Sequence, residues 1–317
     1  MPPYNTKRGI MAAKIEAVAG VKETLTGAYA FMAYNPTFEP DHTPYKRNPF
    51  RPTFSAVQQA PGFRSGKLSF GTDLLGAAAA GTPPVWGSLA KGAGMAETIV
   101  SNVSVTYAMA SAAVPRLTLA RYIMDEDNAA LAKINAIWGA RLNAKYALEV
   151  GKSGLINWEA TGCDFDEVDG AMLTGIPAQT ILPPSVLGIV VTLDSAVLDF
   201  AKLDLDLGNK VVLPTSPGPA SGHNPALMTG REMKMTVDPL ACLTATKDFM
   251  GLWLNASEVA FSIVLGTVAG NIHTLTAPKC QITDIKEQER EGYLARQFTV
   301  ALNMDTSGDD EFFHAIT

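Results

Sequence analysis

The chain is poor in the residues from which chemical sites are built. Its three cysteines, Cys163, Cys242 and Cys280, are odd in number and far apart, which excludes a disulfide framework and leaves three reduced thiols. The four histidines, His42, His223, His273 and His314, show no metal-ligand spacing with one another or with cysteine. No Gly-x-x-x-x-Gly-Lys-Ser/Thr loop and no Gly-x-Ser-x-Gly elbow occurs, and Gly151-Lys152-Ser153-Gly154 reads as a hairpin turn. Asp305, Asp309, Asp310 and Glu311 are crowded, but their spacing does not fit a helix-loop-helix calcium site. The expectation is therefore a protein without catalytic residues, cofactor or metal. No window approaches the ~18 uninterrupted apolar residues of a membrane span, so no membrane partner is expected. Met1 to Gly20 carries Lys7, Arg8, Lys14 and Glu16 and lacks the apolar core of a secretory signal. Charge is scarce as well. At 18% charged against 47% hydrophobic residues, the surface is undercharged for a free monomer, and much of it is expected to be buried against other chains.

What the chain does have is a doubled β pattern. Its 317 residues allow about two domains of roughly 150 residues, and 27 glycines with 20 prolines suit a turn-rich β protein. Gly66 to Asp73 leads into an Ala-rich segment bearing Trp86, and Gly230 to Asp238 leads into another bearing Trp253. Ala140 to Trp158 and Pro278 to Phe298 both read as two alternating strands joined by a tight polar turn. Such repetition sets the fold class as mainly β, a β-sandwich or barrel-like unit with one flanking α-helix per half and an internal duplication. The expected divisions are an N-terminal segment, 1–27; a first β domain, 28–163; a linker, 164–184; and a second β domain, 185–317. Helices are expected over 83–94 and 246–255, the second capped by Thr244 or Thr246, with Trp86 and Trp253 as core anchors.

Two segments stand out as candidate sites. Six prolines between Asn35 and Gly62 remove the N–H groups a central strand needs, so 35–62 is expected to be an extended arm. Loops of that length are either functional or disordered; its aromatic residues favour docking on a neighbour, with Tyr45, Lys46, Arg47, Phe50, Arg51 and Phe54 as candidate contact residues. In Leu203-Asp204-Leu205-Asp206-Leu207 the alternation is strict, which puts the leucines on a buried face and Asp204 and Asp206 on the opposite one.

The order of these elements resembles the major tail tube proteins of long-tailed, non-contractile (siphovirus-type) bacteriophages. The resemblance is carried by Lys14-Ile15-Glu16 and Gly20, the Pro- and Arg-bearing arm, Gly62-Phe63-Arg64-Ser65-Gly66, and Pro84 to Met95 with its Trp86. Asn135 to Leu142, Leu205-Asp206-Leu207-Gly208-Asn209 and Gly308-Asp309-Asp310-Glu311 extend it over most of the chain. It implies a structural virion protein, made in the host bacterial cytoplasm, whose strands join those of sister subunits around a channel and whose rings stack into a tube for DNA ejection. It also implies a tape measure protein and a tail terminator as partners, and an arm that reaches the adjacent ring. Asp204 and Asp206 then become candidate lumen-facing acids. The net charge of −6 suits a wall that lets double-stranded DNA slide past without specific binding. The doubling allows a ring of three chains with pseudo-six-fold symmetry, and a ring of six chains stays open. The inner tube of a contractile machine and a two-domain β-sandwich binding protein are the alternative readings.

Overall fold

Alternation of apolar and polar residues along almost every segment produces strands rather than helices, and all of them pair antiparallel. The computed structural model describes residues 4–317. The first half runs β1 (Tyr4–Ile15), β2 (Ala30–Phe31), β3 (Tyr34–Tyr45), β4 (Ala60–Asp73), α1 (Gly87–Gly92), β5 (Met95–Val100), β6 (Ser104–Met109), β7 (Leu117–Asp125), β8 (Leu131–Glu149), β9 (Leu155–Gly162) and β10 (Asp164–Ala171). The second runs β11 (Val190–Leu193), β12 (Ala196–Val197), β13 (Phe200–Asp206), β14 (Asn209–Val212), β15 (Leu227–Arg231), β16 (Lys234–Pro239), α2 (Phe249–Leu254), β17 (Glu258–Leu265), β18 (His273–Arg290), β19 (Tyr293–Asn303) and β20 (Phe313–Ile316).

The two halves repeat one pairing plan. In the first, β8 pairs β7 and β10 along residues 131–140 and β9 along 141–147, while β4 pairs β3 and β9. In the second, β18 pairs β17 along 273–281, β20 along 273–276 and β19 along 279–290, while β16 pairs β13 and β19. β1 and β11 complete the plan on the outer sides of β7 and β17. Both long strands carry a bulge at the same place, residues 138–139 of β8 and 278–279 of β18. Aligning the bulges makes Lys67 equivalent to Lys234 and Arg64 equivalent to Arg231. An ion pair repeats accordingly: Arg64 Nη2 donates to Asp164 Oδ2 at 2.8 Å, and Arg231 Nε donates to Glu311 Oε1 at 2.7 Å. The hairpin β5–β6 belongs to the first half alone, and β6 pairs with β20 of the second.

The halves share one sheet. Residues 145–149 of β8 pair with β13, so β3-β4-β9-β8-β13-β16-β19-β18 form a continuous antiparallel face. Its inner side buries Leu68, Phe70, Leu142, Trp158, Leu203 and Leu205 in a core that also takes in Trp86, Phe261 and Phe298. A chain of buried polar groups crosses the join. The Tyr146 hydroxyl meets His314 Nδ1 at 3.2 Å, His314 Nε2 meets His273 Nδ1 at 2.9 Å, and His273 Nε2 meets Asn271 Oδ1 at 3.3 Å. Asn271 Oδ1 also accepts from Gly76 N–H at 2.8 Å, which fixes the donor direction along the chain.

Several expectations change in detail. Within the N-terminal segment, residues 4–15 are a strand, paired to β7 and buried on both faces at Met11, Ala12 and Ala13. The arm 35–62 is not loop throughout: residues 34–45 and 60–73 pair as a hairpin, and only 46–59 lack regular structure. Pro36, Pro40 and Pro44 share one parity on an edge strand, so their missing N–H groups fall on the side away from β4. The expected linker 164–184 opens with β10, paired to β8 along its whole length. Both helices are shorter than expected, and α2 is capped by Asp248, whose Oδ1 accepts from Gly251 N–H at 2.8 Å, instead of by threonine.

Candidate functional site

Among the described residues no group of three or more His, Cys, Asp or Glu is placed to hold a metal ion. No helix of the described residues is long and apolar enough to cross a membrane. The features with something left to bind are strand edges, the polar sheet face and two hairpin arms.

The edges follow from the duplication. The β8 edge at residues 145–149 is filled by β13, with Leu207 N–H donating to Ala144 O at 3.0 Å just beyond the ladder. The equivalent stretch of β18 past Gln281 has β19 on one side and, among the described residues, no strand on the other. β3, the equivalent of β13, pairs only with β4. The chain therefore holds one completed junction and the two unfilled halves of another. Phe38 and His42 supply the N–H donors on the outer side of β3 between its prolines, and Arg121 Nη1 occupies the Pro36 carbonyl at 3.0 Å. Such a donor-poor edge resists indiscriminate strand addition.

Asp204 and Asp206 lie on the polar side of the eight-stranded face, half-buried and partnered. Asp204 pairs with Lys202 at 2.9 Å, and Asp206 accepts from Asn143 Nδ2 at 2.9 Å. Across the β8–β13 junction the register sets Lys145 opposite Asp206 and Glu149 opposite Lys202. Lys67, opposite Thr161, and Lys234, opposite Asp206, add further positive charge. The face is thus of mixed sign rather than acidic.

Two arms leave this face. The β3–β4 ladder ends at Tyr45↔Ala60 and the β14–β15 ladder at Val212↔Leu227, leaving loops of equal length, 46–59 and 213–226. The second arm is folded onto the first half. Ala226 N–H donates to Gly139 O at 2.8 Å, Arg64 N–H donates to Ser221 O at 3.1 Å, and His223 packs on Phe63 with ring centroids 5.1 Å apart. Gly139 has φ +60, and an added Cβ would lie 2.4 Å from Cys163 Sγ, so the bulge that receives the arm needs glycine. The first arm has no such seat: Tyr45, Lys46 and Arg47 are exposed, Arg51 is half-buried, and Phe50 and Phe54 are fully exposed.

Sequence reading found the first arm and the polar aspartates. It passed over the junction and the β18 edge, and it read 214–225 as a Pro/Gly/Ser loop without giving it a role, although its prolines carried the same signal as those of 36–61. No family model matches the chain, and no curated protein matches it.

Proposed function

We propose that the chain is the subunit of a hollow homopolymer, the tail tube of a long-tailed, non-contractile bacteriophage, through which DNA leaves the virion. One observation carries this reading: a completed β8–β13 junction sits inside a chain whose terminal edges, β3 and β18, occupy the equivalent positions and, among the described residues, have no partner strand there. Pro40 stands where Leu207 donates to Ala144 O in the internal junction. Repetition of one heterologous contact closes a ring. Closure removes the exposed edges, as in any barrel. Three chains with two equivalent units each give the pseudo-six-fold ring, and the mixed-charge face lines its channel without holding phosphate.

The equivalence also proposes a register. Transferring Lys145↔Asp206 to the open edges sets Lys286 of one copy opposite Glu39 of the next, so that charge pair of the internal junction recurs, while Glu149↔Lys202 is replaced by Arg290 opposite Asn35. Symmetry-averaged electron images of purified assemblies test the reading. Three-fold rings, singly or stacked, are the expected result. Six equivalent chains would replace the trimer, and a solitary particle at high concentration would end the tube reading. E39K and K286E should each weaken ring formation, and the two together should restore it.

A further inference from the structure

We infer that the first arm of one copy seats in a cleft on the second half of the neighbouring copy within the same ring; this rests on the ring reading above. The occupied version of the contact is present in the chain. The second arm belongs to the second half and lies on the first half, across the β8–β13 junction, with Ser221 to His223 against Phe63 and Arg64. Under the alignment fixed by the bulges, Phe63 and Arg64 correspond to Gly230 and Arg231.

Those two residues line a cleft of about 860 Å³, walled by Met233, Leu302, Asp309 and Glu311. The position covered by an arm in one half is an empty groove in the other. Phe54 is the equivalent of Ser221, whose carbonyl receives the Arg64 N–H, and Ser221 is buried where Phe54 is fully exposed. The missing occupant is therefore an arm from a half that the chain itself does not supply, namely the first half of a second copy. The tip 46–59 carries Lys46, Arg47 and Arg51 and no acid, while the cleft is bordered by Glu232, Asp309 and Glu311 against Arg231 and Lys234, with Asp309 and Glu311 held by Arg231, so only one acidic charge is in excess there. The contact runs sideways, between the copies whose β3 and β18 edges meet, and not up to the next ring.

The test is photo-crosslinking in the full-length assembled protein with p-benzoylphenylalanine in place of Phe54, using mixed isotope-labelled and unlabelled chains. Crosslinks between chains that map to 228–231 or 301–311, present in single rings before stacking, are expected. F50S with F54S alters only exposed loop residues, so melting should be unchanged while the concentration for half-maximal ring formation rises at least about tenfold. Gly230→Trp, which fills the cleft from the other side, should do the same. Rings that form undiminished, or whose crosslinks fall within one chain or only across stacked rings, overturn the arm contact alone. A wild-type chain that never associates overturns the ring reading and this inference with it.

Discussion

Lys133 and Glu167 in the first half occupy the same two positions as His273 and His314 in the second, on strands with the same pairing. The first pair is a solvated ion pair at 2.6 Å, and the second is two neutral rings sealed in the core. What differs is the cover. β6 extends the second-half sheet beyond β20, and Trp86 stacks on His314 with centroids 5.2 Å apart, whereas among the described residues β10 has no strand beyond it. The duplicated backbone fixed the geometry, and the added layer decided which chemistry could live there: a bare ion pair loses its hydration on burial, while a neutral imidazole chain can satisfy its own donors and acceptors.

The comparison can be broken most forcefully at the cover itself. Trp86 is fully buried and its indole N–H donates to Leu75 O at 2.7 Å, whereas its counterpart Trp253 is half-buried against β18. Trp86→Ala should cost about 3–5 kcal/mol in urea unfolding and Trp253→Ala about 1–2 kcal/mol. Equal losses would show that the halves are covered alike. The two pairs should also part company with pH. Burial pushes His273 down to about 3 and His314 well below the usual histidine value. As pH falls below about 6.5, the unfolded chain takes up two protons that the folded one refuses, so the stability present above that pH is lost at up to about 2.7 kcal/mol per pH unit. Urea midpoints at pH 7 and 5 measure this, and a flat profile would mean the pair is wet. Smallest is the effect at the solvated pair, where Lys133→Gln should change stability by no more than about 1 kcal/mol.

Much of this was legible in the sequence. The alternation at 203–207 gave β structure directly, and the Gly-to-Asp echo pointed to the doubling three residues out of register, since the bulges set Gly66 equivalent to Met233. The two hairpins were read as starting at Ala140 and Pro278, whereas their first strands continue upstream, because a bulge at 138–139 and 278–279 interrupts the period without ending the strand. The arm was read as loop because proline excludes a central strand, but it permits an edge strand, and edge status is a tertiary fact. The His273–His314 contact joins residues from distant strands, and its burial depends on an inserted hairpin, so spacing alone carried no trace of it.

That hairpin, Met95 to Met109, exists once per chain while its surroundings exist twice. Around a closed circle built from such chains, the outer wall cannot be uniform: every second station bears a ridge and the stations between are bare. In the proposed ring the doubled chain would present two alternating kinds of exterior docking place, something that a ring of single-unit copies could not offer.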